Sequence, residues 1–458
     1  MPSLFVRASF CFLVSLLTCH PSVAQPYVRV ERSDSGMVVS DSADASRVGA
    51  ECLRQGGNAV DAAVATAFAL AVTWPEAGNI GGGGFMLIRP ADGESPVCVD
   101  YRETAPQSMH STSFQRDDHT HSEKAVGVPG TVAGLALAHQ QFGKLPWREL
   151  VLPAVRLARD GFAVDGFLAD SINSVLAKPG NLDTQSFAEL RRIYGKPDQT
   201  PWRAGDRIVL PELADTLSLI AEDPNAFYSG RLADLFVAQM QRGNGRITKA
   251  DLQQYKAKIR PAVTGTYHGY QIIGAPPPSS GGTCLIEALN ILENFDLDQR
   301  NRFDPQTVHL IAEAMRRAFA DRARFLGDPD FTEIPAYLTS KAHARDLASS
   351  IDPVRATDSE SLTPEIDLQP ESPDTTHFSI VDADGMAVSN TYTLEASWGS
   401  RIVVRGAGYV LNNEMGTSIG FLAKRTGRDA SEPSPILSRE ESECSVRNAQ
   451  RWWNTTGT

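Results

Sequence analysis

Cysteine is scarce in this 458-residue chain: there are 6, with no C-x-x-C pair and no spacing to histidine that would build a zinc centre. A disulfide-stapled scaffold is excluded, and no metal site follows from the pattern. Long basic runs are missing as well. With 43 Lys and Arg against 55 Asp and Glu, the formal net charge is −12, and no segment can track a phosphate backbone, so nucleic acid is not an expected partner. Nor does any apolar run reach the ~20 residues needed to span a bilayer. What remains is 42% hydrophobic, 21% charged and 8% aromatic, the composition of a large folded core. Length alone suggests several domains, but one continuous mixed α/β core is the organisation expected here.

The first residues read as a leader. Arg7 is followed by the apolar stretch Phe10 to Leu17, and Ser22-Val23-Ala24 before Gln25 has the small-residue pattern of a cleavage site. Residues 1–24 are therefore expected to be a signal peptide, and the mature protein to be exported, periplasmic or secreted. Leu16-Leu17-Thr18-Cys19 only loosely resembles a lipoprotein box, because Thr is bulkier than the usual residue before the cysteine.

Ser42 can cap a helix ending at Gly56-Gly57, and Asn58 to Thr73 forms a second, Ala-rich helix closed by Pro75. Apolar nearly all round, this second helix belongs inside a large core. Phe85 to Ile88 and Val97 to Tyr101 read as strands after the run Gly81 to Gly84. Asp304-Pro305 starts a further helix whose Val308, Ile311, Met315, Phe319 and Leu326 form a stripe expected to face a core. Between about Arg355 and Asp374 apolar periodicity disappears and prolines and acids collect, which predicts an exposed loop. Thr375 to Asp382 and Ala387 to Leu394 then read as a hairpin turning at Gly385.

Three features invite chemistry. The four glycines lack the Lys-Ser/Thr of a phosphate loop and open a strand, so close backbone packing explains them better. His119 and His121, after Asp117 and Asp118, could ligate a metal, but a solvated polar loop accounts for them without further ligands. Pro373-Asp374-Thr375-Thr376-His377-Phe378-Ser379 lies where the loop meets a strand. Cutting before Thr375 would make it an amino terminus, whose α-amine, with a pKa of about 7.7 to 8.0, could take the proton of the Thr hydroxyl. Taken alone, these residues also fit an ordinary strand with a polar start.

Six segments occur in an order that resembles the γ-glutamyltranspeptidases: Gly81-Gly82-Gly83-Gly84-Phe85, Tyr101-Arg102-Glu103-Thr104-Ala105-Pro106, Gly127-Val128-Pro129-Gly130, Pro277-Pro278-Ser279-Ser280-Gly281-Gly282, Thr375-Thr376-His377-Phe378-Ser379 and Leu411-Asn412-Asn413-Glu414-Met415. The resemblance covers roughly Met37 to Met415. It implies an α+β fold, the αββα four-layer sandwich of the N-terminal nucleophile hydrolases, incomplete in this chain, in a proenzyme that cuts itself between Asp374 and Thr375. Residues 25–374 would form the large-subunit region and 375–415 the start of the small subunit. By the same resemblance Thr375 is the nucleophile and Thr393 the threonine that hydrogen-bonds it. Arg102 grips the substrate α-carboxylate, and Glu395 and Glu414 hold its α-amino group. The implied partners are glutathione or other γ-glutamyl compounds, with water, an amino acid or a dipeptide as acceptor; no cofactor is called for.

After Met415 the resemblance stops, and residues 416–458 read as a non-family tail. The family's later Ser-Ser and Gly-Gly pairs are not found in it. In the frame starting at the third codon base, Gly416 to Phe421 can encode Asp-Phe-Asn-Trp-Phe, and Glu443 to Arg447 can encode Met-Leu-Ser-Ser, as expected of a frameshifted reading. Two further readings stand beside the enzyme: an inactive, truncated relic of it, and a β-lactam side-chain acylase of the same superfamily.

Overall fold

Asn58 begins the helix around which the chain is organised. Its side-chain oxygen accepts the N–H groups of Val60 (3.0 Å) and Asp61 (2.9 Å), while the Asp61 carboxylate accepts the Asn58 N–H (3.0 Å). The helix so started, Ala59–Thr73, follows a first one, Ala43–Arg54, which Ser42 caps. They are α1 (Ala43–Arg54) and α2 (Ala59–Thr73). Alanine's small side chain lets neighbours approach α2 from every direction, and all 15 of its residues are buried. Its one charge, Asp61, is satisfied by backbone amides, those of Asn58, Lys144 and Leu145, rather than by a cation.

The computed structural model describes residues 32–416, apart from 111, 112, 116, 117, 179, 298–300, 302 and 363–374. The leader, Asp374 and the tail beyond Gly416 lie outside the described residues. From Ser35 onward the chain clusters as one unit. Its sheet contains β1 (Gly36–Val39), β2 (Gly83–Arg89), β3 (Val97–Asp100), β4 (Lys258–Pro261), β5 (Thr376–Asp382) and β6 (Ala387–Thr393), in the order β1-β5-β6-β2-β3-β4 and antiparallel throughout. The two strands of the expected hairpin thus sit at the centre, bracketed by strands from the start of the chain. β5 alternates cleanly: Thr376, Phe378 and Ile380 are buried, while His377, Ser379 and Val381 are exposed. α2 lies against β5 and β6, and the Tyr392 hydroxyl donates to the Ala67 carbonyl (2.9 Å). The mixed helix and sheet expected from sequence is present, and the described residues contain this six-stranded sheet and two two-stranded ones.

A second cluster of apolar residues is built by α3 (Gly281–Leu292), α4 (Pro305–Phe325) and α5 (Lys341–Ser349). Here one expectation fails. Val308, Ile311, Met315 and Phe319 do not face a core: Val308 is 52% and Met315 48% exposed, and of the expected stripe only Leu326, just past the helix end, is buried. The buried face carries Leu310, Ala314 and Ala318 instead, because small side chains let α4 approach α3 closely. The same face buries Glu313 and Arg317, paired at 2.7 Å. No helix among the described residues is long and apolar enough to cross a membrane.

Candidate active site

The hairpin register builds the centre of the site. β5 and β6 pair so that Thr376 stands opposite Tyr392, and one step further out Thr375 meets Thr393. The exposed Thr375 hydroxyl donates to the buried Thr393 hydroxyl at 3.4 Å. Thr393 is fixed on its other sides: its hydroxyl accepts the Glu395 N–H (2.9 Å), and its carbonyl accepts the Asn79 side-chain amide (2.9 Å). Asn79 in turn accepts from the Gly82 N–H (2.9 Å) and the Thr131 hydroxyl (2.8 Å). A Cβ at Gly82 would collide with the Thr393 carbonyl and one at Gly83 with the Glu103 carboxylate. The glycines thus serve close backbone approach, and β2 begins at Gly83, two residues before Phe85.

Beyond Thr393 the chain turns through Glu395 at φ +80°, a left-handed conformation that a side chain with a Cβ adopts at a cost of roughly 1–3 kcal/mol. That turn directs Glu395 into a buried cluster of charge. The Arg102 guanidinium pairs with Glu414, both buried, and Glu395 shares a hydrogen bond with Glu414. Asn412 orients this end: its side-chain oxygen accepts the N–H groups of Gly127 (2.8 Å) and Glu414 (3.1 Å). The Asn413 side chain accepts the Ala396 N–H (3.1 Å). Behind Arg102, the Tyr255 hydroxyl donates to its carbonyl (2.8 Å), and Asp100 accepts its N–H (3.1 Å) while pairing with Arg260 (2.7 Å).

A third carboxyl completes the cluster. Glu103 is 1% exposed, and neither of its side-chain oxygens has a hydrogen-bond partner. Burial pushes the carboxyls of Glu103 and Glu395 well above the usual range, and the neighbouring Glu414 adds to the rise. Burial raises Glu414 too, while its partner Arg102 opposes the rise. One guanidinium faces three carboxyls, so the acids outnumber the cation and are driven towards their protonated forms.

Of the residues expected from sequence, Arg102, Glu395 and Glu414 come together, and Thr375 and Thr393 form a pair joined to them through the Glu395 amide. Asp374 lies outside the described residues. Sequence reasoning passed over Glu103, Asn79, Asn412 and Asn413. The only signal for Glu103, Asn412 and Asn413 was their presence within the segments carrying the resemblance, and Asn79 had only its place just before the glycine run. His119 and His121 gather no further ligands among the described residues; the His121 ring accepts the Asn181 N–H (3.3 Å), and burial and Arg401 push it down to about 4.

A family model described as Gamma-glutamyltranspeptidase matches residues 45–436. The glutathione hydrolase proenzyme of Escherichia coli is 44% identical over 84% of this chain and 67% of its own length. Among solved structures, the γ-glutamyltranspeptidase of Helicobacter pylori superposes with a TM-score of 0.69 at 37% identity, covering 75% of this chain and 100% of that one. A cephalosporin acylase from Bacillus halodurans reaches a TM-score of 0.74 at 27% identity, over 88% of this chain and 74% of that one.

Proposed function

The chain belongs to the γ-glutamyltranspeptidase family, and from that premise we propose that it hydrolyses or transfers the γ-glutamyl group of glutathione and related amides. Maturation starts with Thr375. Its Oγ adds to the Asp374 carbonyl carbon, the C–N bond breaks as the amide nitrogen takes a proton, and water hydrolyses the resulting ester. Asp374 is left as a carboxylate and Thr375 with a free amine, the ends of a large and a small subunit.

In turnover that amine accepts the hydroxyl proton as Oγ attacks the γ-amide carbonyl, then delivers it to the departing amine, leaving a γ-glutamyl ester on Thr375. Water or an acceptor amine attacks the ester and releases the product. Thr393, at 3.4 Å, orients the nucleophile.

The observation that carries this reading is the link Thr375–Thr393–Glu395–Glu414–Arg102, which joins a nucleophile to a buried pairing of cation and acids. An α-amino acid head group is a zwitterion. Its carboxylate suits the planar Arg102 guanidinium, and its ammonium suits Glu395 and Glu414 and favours their ionised forms. A β-lactam side-chain acylase is less supported, since an acylase proenzyme from Pseudomonas is 38% identical against 44% for the glutathione hydrolase, and a diacid side chain offers the glutamates no ammonium. The leader pattern of residues 1–24 supports export to the periplasm or beyond.

N-terminal sequencing of the smaller fragment should return Thr375 as its first residue. Thr375→Ala should leave the chain uncut and lower hydrolysis of a γ-glutamyl anilide by about 10⁵-fold or more, while Thr375→Ser keeps part of both activities. A fragment starting elsewhere would overturn the assignment.

A further inference from the structure

Away from the hairpin, the three helices of the second cluster bring together side chains far apart in sequence. Glu287 on α3, Asp321 on α4 and His343 on α5 each offer one ligand atom, and these atoms all lie within 4.8 Å of one another. His343 Nε2 is 2.6 Å from Asp321 Oδ2 and 3.8 Å from Glu287 Oε1. Glu287 is 1% exposed, and its Oε1, the oxygen nearest the imidazole, has no hydrogen-bond partner. A buried carboxylate oxygen left without a donor is rare in a helical core, and it signals a missing partner.

We propose that Glu287, Asp321 and His343 form a structural site for a divalent transition-metal ion of the zinc class, pinning α3, α4 and α5 together. Bonds of about 2.0–2.2 Å in a tetrahedral shell set ligand atoms roughly 3.3 Å apart, and the 2.6 and 3.8 Å separations at His343 bracket that spacing. One imidazole nitrogen with two carboxylate oxygens favours zinc or manganese over calcium or magnesium, which prefer oxygen alone.

The surroundings hold the ligands in place. The Ser340 hydroxyl accepts the His343 N–H (3.2 Å), fixing the first turn of α5, and the Tyr337 ring packs edge-on against the imidazole at 5.0 Å. His343 is partly exposed, which leaves an entry path. Cys284, one turn before Glu287, contributes no ligand: its thiol lies toward the Ala318 carbonyl (3.8 Å). The nearby Arg322 guanidinium packs over the Phe319 ring at 5.2 Å.

The test uses the full chain, stripped with a chelator and dialysed. Added Zn²⁺ should bind at one equivalent per chain after gel filtration and raise the melting temperature, and Co²⁺ in its place should give visible d–d absorption. Glu287→Gln should weaken zinc binding by about 100-fold and abolish the cobalt bands. Gln keeps the volume and one side-chain oxygen of Glu287 at its buried position, so folding should change little. Should Glu287→Gln fail to fold, His343→Gln, at a partly exposed position, gives the same reading. Zinc uptake well below one equivalent, or full uptake by both variants, would overturn the proposal and leave the triad as a hydrogen-bonded contact between helices.

Discussion

Two buried Glu–Arg pairs in this protein have opposite characters. In α4, Glu313 meets donors only: Arg317 (2.7 Å), Arg316 (2.7 Å), the Thr357 hydroxyl (2.5 Å) and the Thr357 N–H (3.1 Å). Its carboxyl is pulled down to about 2 by these hydrogen bonds and cations, which outweigh burial. At the site, Glu414 meets one guanidinium and two more carboxyls, and burial raises all three. The same residue types therefore do different work. A carboxylate surrounded by donors is a structural tie, whereas a cluster with more acid than base is an incomplete arrangement that an incoming cation completes.

Breaking the structural tie should have the largest effect. Glu313→Gln leaves Arg317 buried without its partner and should cost about 3–5 kcal/mol of stability by denaturant unfolding. The pH dependence has a definite sign. A carboxyl whose folded pKa is depressed stabilises above the unfolded value, and that stability is lost as pH falls from 4.5 towards about 2, a limb Glu313→Gln should remove. If the variant unfolds like the parent, the contrast between the two pairs fails.

At the site the loss should appear in catalysis. Arg102→Lys keeps the charge but not the planar fork, and should cost roughly 2–4 kcal/mol in kcat/KM for a γ-glutamyl anilide, with little change in unfolding. Unchanged kinetics would remove Arg102 from substrate recognition. A smaller effect is expected at Glu103. Its folded pKa is raised, so the stability it confers is present at low pH and lost as pH rises through the folded value. Glu103→Gln, which copies the protonated form, should raise the melting temperature at pH 9 by about 2 °C and leave it unchanged near pH 5. A loss of stability at both pH values would mean that the carboxylate form is required. Smallest of all, Met315→Gln on the outer face of α4 should shift stability by less than about 0.5 kcal/mol, whereas Ala314→Leu on the inner face should cost about 1–3 kcal/mol by overpacking. Reversed magnitudes would restore the buried stripe expected from sequence.

Much of the framework was legible residue by residue. Asn58 and Pro75 bracket α2, Ser42 caps α1, and the alternation from Thr376 to Asp382 marks β5, because caps, prolines and period-2 burial act over a few residues. Arg102, Glu395, Glu414, Thr375 and Thr393 were also reachable, though through resemblance rather than spacing. Glu103 was not singled out, since nothing local separates a buried unpaired carboxyl from a surface one. The triad of Glu287, Asp321 and His343 left no motif, because its ligands come from three helices.

The sequence by itself determined where α1 and α2 start and stop, where α4 starts, which strands form the hairpin and that Thr375 stands at its entry. These are short-range matters of capping, turn chemistry and alternation, and register then sets Thr393 opposite Thr375. Only the tertiary structure decided which face of α4 is inside and which carboxyls share one guanidinium. Period 3.6 marks an apolar stripe but does not say what packs on it; α3 approaches closely enough that Ala314 and Ala318 suit the interface and Met315 does not. Arg102 and Glu414 are 312 residues apart, and their charges couple only because the fold buries both where water no longer screens them.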